Sequence, residues 1–389
     1  MKNTFYISCP IDTYSGYGSR SRDYVKALIE SDKYDVKILS QRWGNTRKGF
    51  CDDFEEWNFL RDYIVPQPLA QPDIWCQITV PNEFQKVGKY NIGLTAGIET
   101  TVCAHQWIEG CNRMDLILTS SEHSKNVFNT TSYQFKDPQT QETKDLKLTT
   151  PIEVLIEGAN LDVYKPLTSP LTNDKLCKSL DSIPEKFAYL FVGHWLKGDM
   201  GQDRKDIGMM LKTYCEAFKR KSSKNIPGLI LKTSHATFSI IDRDMIVGRI
   251  QQILVPYGDK APNVYLLHGD LSDNEMNSLY NHPKVKAMIS FTKGEGYGRP
   301  LAEFGMTGKP VIVSDWSGHK DFMKYGVMLP GELTPVHQSA TDKFILKEAS
   351  WFTVNYSYAS KILVDVIDNY KKYLEISRKQ PHHIKTNFS

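Results

Sequence analysis

Glu295 and Glu303, with seven residues between them, stand in a stretch that also places glycine at 294, 296 and 298. An apolar run, Ala287 to Ser290, leads in, and Pro300 opens the segment that leads out. Glycine removes the side chain where backbone must approach a ligand closely. Proline suits the first position of a helix, and the N–H groups of a helix N-terminus attract anions. The pattern predicts a strand, a loop and a helix that deliver backbone N–H groups to a diphosphate while two carboxylates meet sugar hydroxyls, with Glu303 in the first helical turn. The alternative is a plain strand-to-helix turn in which Glu303 complements the helix dipole.

Followed by Gly308-Lys-Pro-Val-Ile-Val313 and Trp316-Ser-Gly-His319, the stretch resembles the Glu-x7-Glu signature of retaining family 4 glycosyltransferases, the glycosyl transferases group 1. The resemblance implies an α/β chain of the GT-B architecture, two Rossmann-like domains facing a central cleft, with a C-terminal helix crossing back to the first domain. It implies a hexosyl- or pentosyltransferase that takes a nucleotide-diphosphate sugar, a UDP-sugar by preference, and a hydroxyl acceptor, a glycan by default. It calls for no cofactor and no metal. Glu295 then contacts hydroxyls of the transferred sugar and Glu303 the ribose, with Gly294, Gly296, Tyr297, Gly298, Arg299, Pro300 and Leu301 around the donor. An apolar residue is more usual at Arg299, which either reaches a phosphate or an acceptor or is a solvated helix start.

Phe191-Val-Gly193-His194 and Arg204-Lys205-Asp206 resemble the family's Gly-Arg and its later Arg-Lys-Gly. Lys205 is then expected to neutralise the leaving diphosphate, on which negative charge grows during transfer. His194 stands where arginine is common, and Arg204 is the substitute for that contact. Lys232, ending the apolar run Leu229-Ile-Leu, is a further phosphate candidate. Gly16-Tyr17-Gly18 lacks the third glycine of a dinucleotide fingerprint, since Ser21 occupies that place and Arg22 follows it. It resembles the family's N-terminal glycine loop, which brings backbone near donor phosphate and acceptor; a bare turn is the alternative. Tyr17, Glu99 and His105 are expected on the acceptor side, His105 being equally readable as a packed histidine.

Two other groupings carry less. Asp242-Arg-Asp244 matches a metal-binding spacing but opens a helical run instead of ending a strand, so it implies no metal. Gln41-Arg-Trp43 with Arg47-Lys48 combines basic and aromatic side chains, as nucleic-acid contacts do, which keeps a modified base in DNA open as acceptor. A nucleotide-sugar epimerase and a non-catalytic nucleotide-sugar-binding protein are the remaining readings.

Apolar runs and helical patterns alternate along the chain, which predicts parallel sheets. Strands are expected at Phe5–Cys9, Val36–Ser40, Ile74–Ile78, Asn91–Thr95, Leu116–Thr119 and Pro151–Ile156, with a helix from near Ser19. A second set spans Phe187–Val192, Gly228–Thr233, Val264–Leu267, Ala287–Phe291 and Val311–Ser314, with helices at Asp206–Lys221, Ile240–Val255 and Asp273–Asn281. The 389 residues suit two domains of about 150 to 200 residues each. Ile156-Glu-Gly158 through Pro166 resembles the family's closing segment of the first domain. The expected division is 1–165 for acceptor, 166–355 for donor and 356–389 for an amphipathic helix packing back. Between Asp162 and Glu185 the chain turns polar and carries Pro166, Pro170 and Pro184, as linkers do.

Residues 1–165 hold 18 Lys/Arg against 22 Asp/Glu, and the rest 30 against 23, a net of −4 and +7. A basic second half suits an anionic ligand. Seven cysteines without a Cys-x-x-Cys pair read as reduced, buried thiols. No long apolar stretch and no leader pattern is visible, so a cytoplasmic protein without a transmembrane segment is expected. Oligomeric state leaves no mark in the sequence.

Overall fold

A computed structural model describes residues 2–136, 142–167, 175–219, 226–235 and 238–389. Contacts divide the chain into two units, Met1–Ile156 and Glu157–Ser389. The division precedes residue 165 because the intervening segment is bonded into the second unit. There Tyr164 donates to Asp273 (3.1 Å), and the Lys165 and Leu167 amides donate to Asn277 and Asn281. Of the expected linker, residues 168–174 lie outside the described residues.

The first unit is built on strands β1 (Thr4–Cys9), β2 (Asp35–Ser40), β3 (Ile74–Ile78), β4 (Tyr90–Thr95) and β5 (Leu116–Thr119), then a hairpin of β6 (Ser132–Lys136) and β7 (Thr143–Lys147), and β8 (Ile152–Val154). The order β2-β1-β3-β4-β5-β8 is parallel throughout. A parallel sheet is covered on both faces, which is why its strands read as unbroken apolar runs. Ile7, Cys9, Ile38, Cys76, Ile78 and Leu94 are fully buried in it.

In the second unit β9 (Ala188–Val192), β10 (Gly228–Lys232), β11 (Val264–Leu267), β12 (Val285–Ser290), β13 (Val311–Ser314) and β14 (Val327–Leu329) form a second parallel sheet, ordered β11-β10-β9-β12-β13-β14. Tyr189, Phe191, Leu229, Leu231, Ile289 and Ile312 pack with Met210, Leu211 and Tyr214 of helix Ile207–Phe218. A hairpin, β15 (Gly331–Pro335) with β16 (Ser350–Val354), follows. In such sheets ligands bind outside the carboxyl ends of strands where the order reverses. That point lies between β9 and β12 here, and between β1 and β3 in the first unit.

Most strand ends fall within one or two residues of expectation, β8 being shorter at Ile152–Val154, and several helix boundaries differ. The first helix runs Gly16–Glu30 and starts three residues early, because Ser15 caps it by accepting from the Gly18 amide (2.9 Å). The helix expected at Asp206–Lys221 is Ile207–Phe218, and residues 220–225 lie outside the described residues. The expected tail helix is divided into Tyr356–Asp368, Tyr370–Ser377 and Gln380–Asn387, with Asn369 out of helical geometry at φ −119° and ψ 31°. Within the second unit Gln380 donates to the Phe322 carbonyl (2.6 Å) and accepts from the Tyr325 amide (2.8 Å). All seven cysteines are free and buried, and no helix among the described residues is long and apolar enough to cross a membrane.

Gly16 and Gly18 differ in what their lack of a side chain does. A Cβ on Gly18 would stand 2.3 Å from the Thr13 carbonyl oxygen, whereas one on Gly16 would meet nothing within 4 Å. Gly18→Ala should lower unfolding free energy by about 1 to 3 kcal/mol through overpacking. Gly16→Ala should be neutral or stabilising by up to about 1 kcal/mol. Thermal unfolding of both variants checks the contrast.

Candidate functional site

The loop after β12 is held from both sides. The Glu295 amide donates to Ser317 Oγ (2.9 Å), and the Gly318 amide donates to the Glu295 carbonyl (3.0 Å). Ser317 adopts a positive φ of 79° to do so. The Glu295 side chain, 9 % exposed, then meets Lys205 Nζ at one oxygen and Arg204 Nη1 at the other (3.3 Å). Arg204 Nη1 also donates to the Gly294 carbonyl (2.9 Å). Burial pushes the Glu295 carboxyl up, but Lys205 and Arg204 together outweigh it and hold it at about 2. The carboxylate is therefore ionised at neutral pH.

His194 and Lys232 share this neighbourhood, at the ends of β9 and β10. His194 Nδ1 lies 3.0 Å from Ser234 Oγ. Desolvation, and then the charges of Lys205, Lys232 and Arg204, lower its pKa to about 4, so the ring is neutral. Lys232 donates to the Gly269 carbonyl (2.5 Å) and stands 5.0 Å from the centre of the Phe238 ring. Burial lowers its pKa, with Asp270 opposing. Lys205, Arg204 and Lys232 thus converge at the carboxyl ends of β9, β10 and β12, beside the point where the strand order reverses.

Glu303 sits elsewhere on its helix than expected. Gly298, at φ 100°, caps helix Arg299–Gly305, so Pro300 is the second helical residue and Glu303 lies beyond the first turn. Glu303 is 8 % exposed and accepts from the Tyr280 hydroxyl (3.1 Å). Arg299 is neither solvated nor directed to open solvent. It pairs with Glu303 (3.7 Å) and with Glu157 (4.0 Å) at 17 % side-chain exposure. Tyr297 and Leu301 are buried, the Tyr297 ring centre 4.7 Å from that of Phe322.

In the first unit, Gly16 is exposed at the helix start and Gly18 is buried. Tyr17 accepts from the Ala96 amide (3.0 Å), lies 3.0 Å from Thr95 Oγ1 and stacks on Trp43 at 3.9 Å. Arg22, next to Ser21 at the place of a third glycine, is buried, donates to the Ile11 and Thr13 carbonyls (2.8 and 2.9 Å) and lies 3.4 Å from the Phe50 ring centre. Glu99 is half-buried in the loop after β4. His105 is exposed at the next helix start, 3.2 Å from Glu109. Arg47 pairs with Asp53 at 2.5 Å and faces the Tyr14 ring. In the second unit, Asp242 accepts from the His235 amide (3.0 Å) and pairs with His268 (3.0 Å), a structural tie.

The reading from sequence missed three parts of this site. Ser317 was visible only inside the Trp-Ser-Gly-His run. His319, beside Glu295, is buried, donates from Nε2 to the Ser314 carbonyl (2.7 Å) and leaves Nδ1 without a hydrogen-bond partner among the described residues. Lys293, two positions before Glu295, is 1 % exposed and lies 3.5 Å from Asp206, itself fully buried. A lysine beside three glycines reads as surface, and no local pattern marks it otherwise.

No protein-family profile and no curated protein matches the chain by sequence. Solved structures do match it by fold. Anabaena HepE, determined in complex with UDP and glucose, is 13 % identical with a TM-score of 0.57, over 100 % of this chain and 96 % of HepE. A glycosyltransferase from Rickettsia africae is 14 % identical with a TM-score of 0.58, over 100 % and 94 %. Sucrose-phosphate synthase from Thermosynechococcus elongatus is 11 % identical with a TM-score of 0.61, over 100 % and 95 %. The chain has the GT-B fold, matched over its full length to glycosyltransferases of that architecture.

The Glu295 pairing carries a pH signature. A carboxyl held at about 2, against an ordinary value of 4.5, adds stability that is present above 4.5 and lost as pH falls toward 2. Between about pH 6 and about pH 3, unfolding free energy from urea titrations should fall less steeply in Glu295→Gln than in the wild type.

Proposed function

We propose that the chain is a retaining glycosyltransferase that moves a sugar from a nucleotide diphosphate, UDP by preference, to a hydroxyl of a glycan. One observation carries this reading: Arg204, Lys205 and Lys232 converge with the ionised Glu295 at the carboxyl ends of β9, β10 and β12. Arg204 and Lys205 on one carboxylate, with Lys232 acting on the same His194, leave an excess of positive charge suited to a diphosphate. Before donor arrives, Glu295 keeps Lys205 and Arg204 in place, so the site is arranged in advance of its ligand.

On this reading the bond from the anomeric carbon to the diphosphate oxygen breaks, and a bond from the acceptor oxygen forms on the same face. The acceptor proton passes to the leaving phosphate, whose growing charge Lys205 and Arg204 meet. Glu295, freed from the cations the diphosphate takes over, accepts hydrogen bonds from hydroxyls of the transferred sugar. Glu303, with Tyr280 and Arg299 fixing its carboxylate, is the proposed ribose contact. UDP is preferred because HepE, of the same fold, was determined with UDP and glucose. The stacked Tyr17 and Trp43 rings beside exposed Gly16 suit an acceptor sugar, whose C–H faces pack on aromatic surfaces.

Thermal unfolding with UDP, GDP, ADP and TDP tests the reading. A ligand at 100 times its Kd adds about 2.7 kcal/mol of stability. The expected result is the largest shift with UDP, lost in Lys205→Ala; no shift with any nucleotide overturns the proposal. Glu295→Ala should cut turnover of a UDP-sugar on the order of 10²-fold, and Glu303→Ala should act on donor KM. Mass spectrometry of the products distinguishes an extended acceptor from an isomerised donor.

A further inference from the structure

Residues 203 to 206 read Asp-Arg-Lys-Asp, and the structure sends the two kinds of charge in different directions. Arg204 and Lys205 face Glu295, while Asp203 and Asp206 turn inward. Asp206 meets Lys293 at 3.5 Å and accepts from the Tyr356 hydroxyl at 2.7 Å. Lys293 in turn donates to Thr353 Oγ1 (2.8 Å), and its backbone amide donates to the Arg204 carbonyl (2.7 Å). Asp203 accepts from the Ile207 amide (3.3 Å). Two adjacent loops are thus joined by two ion sets of opposite sense: carboxylate 295 with cations 204 and 205, cation 293 with carboxylate 206.

Asp206 holds this arrangement in a left-handed conformation, φ 52° and ψ 37°, at the residue capping helix Ile207–Phe218. Glycine takes that conformation freely and aspartate tolerates it, yet the Asp206 side chain makes no capping hydrogen bond. It is committed to Lys293 and Tyr356 instead. Backbone strain of this kind persists where the surroundings over-determine it.

We infer that Asp206 is a positioning residue, whose carboxylate, gripped by Lys293 and Tyr356, sets the turn that aims Lys205 and Arg204 at Glu295. The inference rests on the reading of that site as the donor site. The groups facing Asp206 are Lys293, Tyr356 and Asp203, with Arg249 acting on Asp203. Burial raises the Asp206 pKa to about 7 against the opposing pull of Lys293 and Tyr356, and raises that of Asp203 to about 6. Oδ1 of each has no hydrogen-bond partner among the described residues. Ionised Asp206 grips Lys293 as an ion pair; protonated Asp206 does not.

The signs then oppose one another. A carboxyl with a raised pKa adds stability at low pH that is lost as pH rises through about 7. Turnover, needing the ionised form, rises over the same range. A residue that merely supports the fold would move both together. With UDP-glucose as donor, Asp206→Gly, which permits the left-handed backbone and deletes the carboxylate that fixes it, should lower kcat/KM about tenfold. Asp206→Asn should abolish the kcat limb near pH 7 while remaining folded.

Amide hydrogen exchange of the peptides spanning 199–206 and 291–298 supplies a readout without turnover. In Asp206→Gly, and in Asp206→Asn should the glycine variant not fold, both peptides should exchange about tenfold faster than in the wild type. Unchanged exchange in both overturns the inference whatever the activity. Should the wild type neither bind UDP nor use UDP-glucose, the donor-site reading fails and exchange still decides the role of Asp206.

Discussion

The second unit depends on an exchange of charge between two loops that leave adjacent strands, β9 and β12. Removing one ion from water is costly, and a buried pair repays that cost only when geometry and extra hydrogen bonds are good. Here each ion has such partners: Ser317 and Gly318 fix the Glu295 backbone, Thr353 takes Lys293, and Tyr356 takes Asp206. The two sets are interleaved in sequence, so neither loop can shift without separating both. Removing a single partner strands an uncompensated charge, which is far more disruptive than replacing a whole pair. The rigidity of the cation cluster follows from this arrangement more than from the glycines beside it.

Much of this was legible in the sequence, and for a definite reason. Parallel strands are buried on both faces, so Phe5–Cys9, Leu229–Lys232 and Val311–Ser314 announce themselves as apolar runs. Glu295, Lys205, Arg204 and Lys232 lie directly after such runs or just before a helix, where strand ends place side chains together. What stayed hidden is long-range pairing. Nothing near Lys293 says that it is buried against Asp206, and nothing near Arg299 points to Glu157, more than a hundred positions earlier. The first helix, expected from near Ser19, is capped by Ser15 and starts at Gly16. The tail was read as one helix because Asn369 is a weak breaker by composition and a firm one only in its conformation.

The two sheets also answer differently to the same design. In the second unit the order reverses between β9 and β12, and the cations collect there. In the first, it reverses between β1 and β3, and the loop after β1 is closed by Arg22 beneath Phe50 and by Gly18 against Thr13. The glycine pair at 16 and 18 therefore serves packing at one position and leaves an open surface at the other. A motif read as a unit divides into two separate physical tasks.

Arg299 and Glu157 make a different kind of demand. Glu157 is the first residue of the second unit, and Arg299 opens the helix that carries Glu303. Their charges are tied, so neither position changes without altering the surroundings of the other. Loss of the arginine leaves the poorly solvated carboxylates at 157 and 303 without the cation that pairs with both, and loss of the charge at 157 removes one of the two carboxylates that Arg299 meets. Substitution at either site therefore changes what the other tolerates: an apolar residue at 299 fits this place better once 157 no longer carries a charge.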